Sequence, residues 1–206
     1  RSKNVNMERF FDIALSGLAL IVLAPIFVPI IAVLKFSGEG EIFFTQERVG
    51  QYGAVFRLYK FATMLKNSPN IGTGTITVKE DPRILPFGRF LRKTKINELP
   101  QLLNIFVGDM SIIGPRPLTA QSFNAYELNT REIIKRVRPG LSGIGSIIFR
   151  GEEEIMNDPK TSLSFYKNII APYKGSLEEW FVMNKGIKVY FYAISLTLLV
   201  VINPKS

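Results

Sequence analysis

Apolar positions are concentrated towards the two ends of the chain. Ile13 to Leu34 is a run of 22 residues without a charge, IALSGLALIVLAPIFVPIIAVL. As a helix rising about 1.5 Å per residue it would span roughly 33 Å, close to the hydrocarbon thickness of a bilayer. Arg1, Lys3 and Arg9 precede it and Lys35 closes it. A signal peptide has a shorter apolar region and a small-residue cleavage site, so it fits poorly. The length also argues against a buried core helix. Pro25 and Pro29 fall inside the run. Each removes a backbone donor and crowds the preceding turn, which predicts a break. Two outcomes fit: a kinked spanning helix, or a re-entrant helical hairpin that enters and leaves on one face. Basic residues at both ends favour the hairpin, because Lys and Arg gather on the cytoplasmic side. A second apolar stretch, Ile187 to Ile202, carries one charge, Lys188, and clusters Tyr190, Phe191 and Tyr192 at one end. That pattern suits an interfacial helix or a C-terminal core helix.

Between these ends the patterning is shorter in range. Glu41 to Tyr59 alternates in part and predicts short strands around a turn at Gln51-Tyr52-Gly53. Asn67 to Pro82 is rich in Asn, Ser, Gly and Thr and reads as a loop. Ile96 to Phe106 has helical spacing, with Leu99, Leu102, Leu103 and Phe106 on one face and Pro100 in the first turn. Gly114-Pro115-Arg116-Pro117 is a rigid turn. Gln121 to Val137 reads as one polar helix, ended by Arg138-Pro139-Gly140. Gly140, Gly143 and Gly145 form a loose glycine-rich loop that meets neither the P-loop nor the dinucleotide-binding spacing. Pro159 to Gly186 looks helical, interrupted at Pro172 and Gly175. The predicted fold class is α/β, α-rich, with small strand elements and surface amphipathic helices.

Composition narrows the chemistry. With 206 residues the chain suits one domain and an appendage. It has no Cys and no His. This excludes disulfides, thiolate nucleophiles, Cys/His zinc sites and imidazole triads. Acid–base work falls to Asp, Glu, Lys or Tyr. A metal would sit on oxygen ligands, which points to Mg²⁺, Mn²⁺ or Ca²⁺. A net charge of +9 suits a polyanion: nucleic acid, nucleotide phosphates or anionic lipid headgroups. No nucleic-acid motif is present, nor aromatics interleaved on a basic face, so nucleic acid is set aside.

Three strings converge on a family. They are Tyr59-Lys60-Phe61; Arg89-Phe90-Leu91-Arg92-Lys93-Thr94 running into Asn97-Glu98-Leu99-Pro100-Gln101-Leu102; and Gly108-Asp109-Met110-Ser111 with Gly114-Pro115-Arg116-Pro117. Together with the apolar N-terminus and Arg138-Pro139-Gly140, they resemble the bacterial sugar transferase family, the monotopic phosphoglycosyl transferases. The resemblance runs from about Arg9 to Arg150 and more loosely to the end. It implies transfer of a phospho-sugar from a UDP-sugar to a polyprenol phosphate, usually undecaprenyl phosphate, with release of UMP and a requirement for Mg²⁺. It implies a membrane-inserted re-entrant helix over residues 1–36, broken at Pro25. Residues 37–206 then form a catalytic domain with interfacial helices, on the cytoplasmic face of the bacterial inner membrane. Small members consist of this core alone, and the chain has that size. Membrane lipid is a partner, and the amphipathic surface is compatible with a homodimer.

The chemistry agrees with that implication. Two donor phosphates, an acceptor phosphate and a metal need a basic, oxygen-liganded site at a membrane surface. Arg forks bind phosphate oxygens in pairs, while Lys acts as a point charge. The resemblance places Asn97 and Glu98 at the catalytic positions, with Glu98 also a metal ligand. Lys60, Arg92, Arg116 and Arg150 are the candidate phosphate ligands. Asp109 is expected to brace the Arg116 turn or join the metal shell, and Arg89 and Lys93 to be surface charges. Asp12, inside the membrane segment, needs a partner, expected to be Arg9 or a basic residue of the domain. Glu152-Glu153-Glu154 reads as a solvated charge run. Donor specificity is expected in the loops 67–81 and 140–154.

The chain departs from the family in three places. The family pair is Asp-Glu, with Asp the proposed nucleophile, whereas this chain reads Asn97-Glu98. An amide cannot attack phosphorus as a carboxylate does. Three explanations stand: a substituted Asp; a natural branch in which Glu98 takes the chemical role or the acceptor attacks directly; or a catalytically inactive scaffold or binding subunit. Gly143 to Arg150 reads GIGSIIFR where many relatives carry Gly-Trp-Ala-Gln-Val. One engineered change would not produce that, which favours the natural branch. The helix break reads Ala24-Pro25 where small relatives often have Ser-Pro.

Overall fold

The computed structural model describes residues 2–71, 81–149 and 169–203. It is a mixed α/β, helix-rich fold with two small sheets. Helix α1, Ser2–Phe36, is helical through both prolines, so the break predicted at Pro25 is absent. Pro25 and Pro29 are four residues apart on an exposed face. Within α1, Asn6–Phe36 is long and apolar enough to cross a membrane by length and composition.

One stripe of α1 faces the rest of the protein at helical spacing. Asp12, Ser16, Ile30 and Leu34 on it are buried. Leu20 and Leu23 pack on Leu58, Leu102, Ile105 and Met110, and Phe27 and Ile31 on Phe61 and Leu91. The opposite face leaves Leu18, Ile21, Val22 and Val28 largely exposed.

The partner of that stripe is α3, Gln101–Val107. The Arg9 guanidinium donates to the carbonyls of Ile105 (2.5 Å) and Phe106 (2.7 Å), closing the C-terminal end of α3. Gly108 ends that helix in the left-handed conformation, φ 106°. Leu103 and Phe106 of the predicted apolar face remain half exposed, and Leu102 and Ile105 supply the core.

Strands β1, Phe43–Val49, and β2, Val55–Phe61, form an antiparallel hairpin in register Phe43↔Phe61 to Val49↔Val55. This matches the predicted strand–turn–strand. The outer edge of β2 is finished by a side chain, that of Asn104 in α3. Its Oδ1 accepts from Tyr59 N (3.0 Å), and its Nδ2 donates to Arg57 O (2.7 Å). A second, parallel pair joins β3, Ser111–Ile113, to β4, Gly140–Ser142. Gly114 and Gly140 cross so closely that a Cβ on Gly140 would lie 2.1 Å from Gly114 N.

The structure corrects several expectations. The polar stretch after Gln121 is two helices, α4, Ala120–Asn124, and α5, Leu128–Ile134. Tyr126 is drawn into a cluster with Ile134 and Ala171, and Glu127 is extended, so the helix restarts. The glycine-rich loop resolves into β4 and a short α6, Ile144–Ile148. In α7, Ala171–Met183, Pro172 sits in the first turn, where its missing N–H costs nothing. Gly175 lies inside α7 without interrupting it, 3.1 Å from Thr130 Cγ2 by the position of an added Cβ. The stretch 159–168 lies outside the described residues. Helix α8, Ile187–Ile202, has the predicted bounds. Tyr190 and Ala193 enter the core, while Tyr192, Leu198, Leu199 and Val201 stay exposed.

Asp12 is paired differently from expectation. Its Oδ1 accepts from Ser111 Oγ (3.1 Å), Ile112 N (2.9 Å) and Tyr190 Oη (2.9 Å). Three neutral donors replace the expected cation, because Arg9 is committed to the end of α3. Asp12 thereby ties α1, β3 and α8 together.

Candidate active site

Four segments converge beside the hairpin. Helix α2, Pro86–Lys93, starts with Pro at its first turn and ends in Arg92 and Lys93. Gly88 lets it lie against the strand end, since a Cβ there would be 2.2 Å from Thr63 O. The chain then turns through Lys95, whose φ of 60° is left-handed, into a 3-10 turn at Ile96–Glu98. A left-handed lysine stores strain of the kind found at functional sites. β2 presents Lys60. The Gly114–Pro117 turn presents Arg116 and is fastened to β1 twice: Val49 N donates to Leu118 O (2.9 Å), and Arg48 Nη1 donates to Pro117 O (3.1 Å).

These segments enclose a cavity of about 440 Å³ lined by Arg48, Lys60, Lys66, Arg92, Lys95 and Arg116. Two carboxylates, Glu41 and Glu98, face those six cations among the described residues. Lys60 Nζ and Glu98 Oε1 form an ion pair of 2.7 Å. Burial opposes ionisation of Glu98, but Lys60, Arg116 and Lys95 outweigh it and hold its carboxyl below the usual range. Burial, then Arg116 and Arg48, pulls the Lys60 ammonium down despite Glu98. Burial and Arg116 push Arg48 down to about 10, so it is still cationic at neutral pH. The cavity is a cationic cluster offset by two carboxylates, Glu98 paired with Lys60 and Glu41 paired with Lys66. It is suited to an anion with several oxygens.

Asn97 lies in the same wall, 7% exposed. Its Oδ1 is buried and has no hydrogen-bond partner among the described residues. An orphaned acceptor beside an ionised carboxylate is a fit for a hard cation or a ligand donor. No group of three or more acidic, His or Cys ligands exists among the described residues. A divalent cation here would therefore take Glu98, Asn97 and oxygens from substrate and water.

The structure thus brings Lys60, Arg92, Asn97, Glu98 and Arg116 to one cavity. Arg150 and Glu152 to Glu154 lie outside the described residues. Arg89 and Lys93 are exposed, as expected. Asp109 does not touch the Arg116 turn; it accepts from Asn104 Nδ2 (3.2 Å), which places it behind the hairpin. Sequence reasoning missed Arg48, Lys95 and Asn104. Arg48 shares a face of the hairpin with Lys60, through the pairs Arg48↔Phe56 and Phe44↔Lys60, so period-two reading from Lys60 would have reached it.

Comparison with known proteins bears on this site. The sequence profile described as bacterial sugar transferase matches residues 3–203. The exopolysaccharide production protein ExoY of Sinorhizobium fredii is 37% identical over 159 residues, covering 70% of each chain. A UDP-glucose:undecaprenyl-phosphate glucose-1-phosphate transferase of Escherichia coli is 31% identical over 195 residues, 91% of this chain and 39% of that protein. An undecaprenyl-phosphate galactose phosphotransferase of Salmonella typhimurium is 32% identical over 160 residues, 71% of this chain and 33% of that protein. The chain spans well under half the length of these last two.

Proposed function

The chain belongs to the bacterial sugar transferase family, and from that premise we propose that it transfers a sugar phosphate from a UDP-sugar to polyprenol phosphate. The observation that carries the reading is the single cavity in which Lys60, Arg92, Arg116 and the Asn97–Glu98 pair meet. An oxygen of the acceptor phosphate forms a bond to the sugar-bearing phosphorus of the donor. The bond from that phosphorus to the bridging oxygen breaks, and the oxygen leaves with its electron pair as UMP. The acceptor phosphate is already an anion, so no general base is required. Arg48, Arg92 and Arg116 orient the phosphates and take up charge that develops in the transfer. Glu98, ionised and tied to Lys60, spaces the cations so that phosphates enter in one register. Mg²⁺ fits at Glu98 and Asn97, where it would offset phosphate charge and hold the leaving group.

The same reading covers the membrane. Phe11, Leu20 and Leu34, spread along α1, each pack on core residues of one body. A helix held to one body along its length cannot leave it to cross a bilayer. This supports a monotopic, re-entrant insertion of α1 by its exposed apolar face. The remaining residues then lie on the cytoplasmic face of the inner membrane.

A second reading, a binding subunit without turnover, is favoured by the amide at Asn97. One experiment separates them: UMP release across a UDP-sugar panel, with undecaprenyl phosphate and Mg²⁺, for this chain and for Asn97→Asp. Turnover by the chain as it stands supports an active Asn97–Glu98 enzyme, in which Glu98 takes the chemical role or the acceptor attacks directly. Turnover only by Asn97→Asp makes position 97 the nucleophile of a substituted or decayed enzyme. Silence from both, with UDP-sugar still bound, supports the binding subunit.

A further inference from the structure

The cavity has two unlike ends, set by the register of the hairpin. Phe43 pairs with Phe61, and Arg48 pairs with Phe56 five positions further along β1. At about 3.4 Å per residue the two ends lie roughly 17 Å apart. The first end is apolar: Phe43 and Phe61 stack at 5.7 Å, and Phe61 packs on Ile30 and Leu34 of α1. The second end is cationic: Arg48 Nη1 donates to Pro117 O, beside Arg116. Of the six cations lining the cavity, four are engaged. Lys60 and Lys66 are each paired with a carboxylate, Arg48 is held by Pro117 O and Gln46, and Arg92 donates to the Met64 thioether at 3.8 Å. The charged groups of Lys95 and Arg116 make no hydrogen bond or ion pair among the described residues. These two free cations sit at opposite ends. Arg116 adjoins the residue that Arg48 holds, whereas Ile96, next to Lys95, packs with Phe61, Ile30 and Leu34. Lys95 follows the Thr94 cap of α2 in the left-handed conformation, φ 60° and ψ 8°, a position that usually holds glycine. Its turn is closed by backbone alone: Lys95 N donates to Arg92 O (3.1 Å), and Glu98 N donates to Lys95 O (3.1 Å). Glycine or asparagine would close it with less strain, so the turn itself does not call for a lysine.

We propose that Lys95 binds the phosphate of the lipid-borne acceptor, with Phe43 and Phe61 against the start of its apolar chain, while Arg48 and Arg116 hold the donor pyrophosphate at the other end. The inference rests on the reading of the cavity as a sugar-phosphate transferase site. The acceptor carries a phosphomonoester on an apolar chain. Its half of the site needs a free cation beside an apolar surface that continues into α1, and Lys95 is the free cation with that neighbourhood. The donor carries no apolar tail, and two guanidinium groups suit the several oxygens of a pyrophosphate. An ammonium on a flexible stem acts as a point charge, which suits a single terminal phosphate arriving from the bilayer. The lysine at a glycine position then has an account: the chain accepts a strained turn to bring a cation to the apolar end of the cavity.

The test titrates the full chain, in phosphatidylcholine nanodiscs, with farnesyl phosphate and separately with UDP, the part common to all UDP-sugars. Lys95→Asn removes the cation and keeps a residue suited to the left-handed turn, and Lys95→Arg keeps the charge. Expected in Lys95→Asn are a loss of about tenfold or more in farnesyl phosphate affinity and of no more than about threefold in UDP affinity. Lys95→Arg should recover most of the farnesyl phosphate affinity. If Lys95→Asn does not fold, Lys95→Gly takes its place. Unchanged farnesyl phosphate affinity, or equal losses for both ligands, overturns the assignment. Phosphatidic acid carries the same phosphomonoester on acyl chains; if it displaces farnesyl phosphate at equal concentration, the site reads any lipid headgroup and the acceptor assignment falls. If UDP binds and farnesyl phosphate does not, this inference falls alone. If neither binds, the transferase reading of the cavity falls, and this inference with it.

Discussion

Asn104→Ala should unfasten the active-site strand. Asn104 is fully buried and makes three side-chain hydrogen bonds: from Tyr59 N, to Arg57 O and to Asp109. The first two complete the outer edge of β2, one residue from Lys60. Alanine leaves a buried N–H and a buried carbonyl unpaired, at about 1–3 kcal/mol each, partly recovered if water enters. The expected loss is about 3 kcal/mol, or about 6–12 °C in Tm for a chain of this size. Because β2 also carries Lys60, donor affinity should fall as well. Thermal unfolding in nanodiscs, with UDP-sugar binding measured well below Tm, reads both effects. Asn104→Asp is the informative companion. It keeps the acceptor for Tyr59 but loses the donor to Arg57 and sets a carboxylate against Asp109, so it should be no better than alanine. A Tm within 2 °C of the natural chain for either variant would refute the claim that this side chain secures the strand.

Four further outcomes follow from the geometry. Lys95→Gly relieves a left-handed residue and should raise stability by about 1 kcal/mol, while removing a cation that acts on Glu98 weakens donor binding; a fall in Tm would contradict the strain. Glu178 binds its proton more tightly folded than unfolded, so stability should decline as pH rises from about 4.5 to 7, by about 3 kcal/mol in all. Chemical denaturation at pH 5 and 8 should show this loss, and Glu178→Gln should flatten it. Gly88→Ala places a methyl 2.2 Å from Thr63 O, so α2 must shift and carry Arg92 with it; donor KM should rise severalfold, and an unchanged KM would show that α2 docking does not set the site. Phe43 stacks on Phe61 at 5.7 Å on the cavity's apolar lip. Phe43→Ser should raise the KM for polyprenol phosphate by about fivefold or more and leave the donor KM unchanged, and equal shifts in both would refute an acceptor-side role.

How much of this was legible in the sequence depended on the range of the interactions. The hairpin, α8 and the apolar extent of α1 follow from local periodicity, whereas the break predicted at Pro25 is absent because α1 stays helical through both prolines. The gathering of Lys60, Arg92, Asn97, Glu98 and Arg116 was reached through motif resemblance, and the cavity brings the five together. Long-range pairing was not legible. Asp12 lies about a hundred positions or more from Ser111, Ile112 and Tyr190, and nothing local marks them as its donors. Asn104 reads as one more polar residue of an amphipathic helix until β2 is laid beside it. The split between α4 and α5 arises because Tyr126 has a tertiary cluster to join, which outweighs a continuous helical pattern. Glu178 lies in a stretch read as a generic helix. Its carboxyl is buried against Gly145, which only the fold brings to it.

Two adjacent residues show how the fold joins a polar reaction to an apolar surface. Lys60 lines the cavity and pairs with Glu98. Phe61, the next residue, also borders the cavity and reaches α1, where it meets the Phe27 ring edge-on at 5.4 Å and packs with Ile30 and Leu34. A polyprenol phosphate has the same division, an anionic head on an apolar chain. The head requires the cation cluster, and the tail requires a surface continuous with lipid. Lys60–Phe61 supplies both within one residue step, with Asn104 fixing the strand from behind and α1 in front. A cytosolic acceptor would have no use for α1 at this position. The apolar helix packs mainly on α3 and also reaches Phe61, the residue next to the cavity lysine, and this proximity of an apolar surface to the cation cluster favours a lipid-borne acceptor.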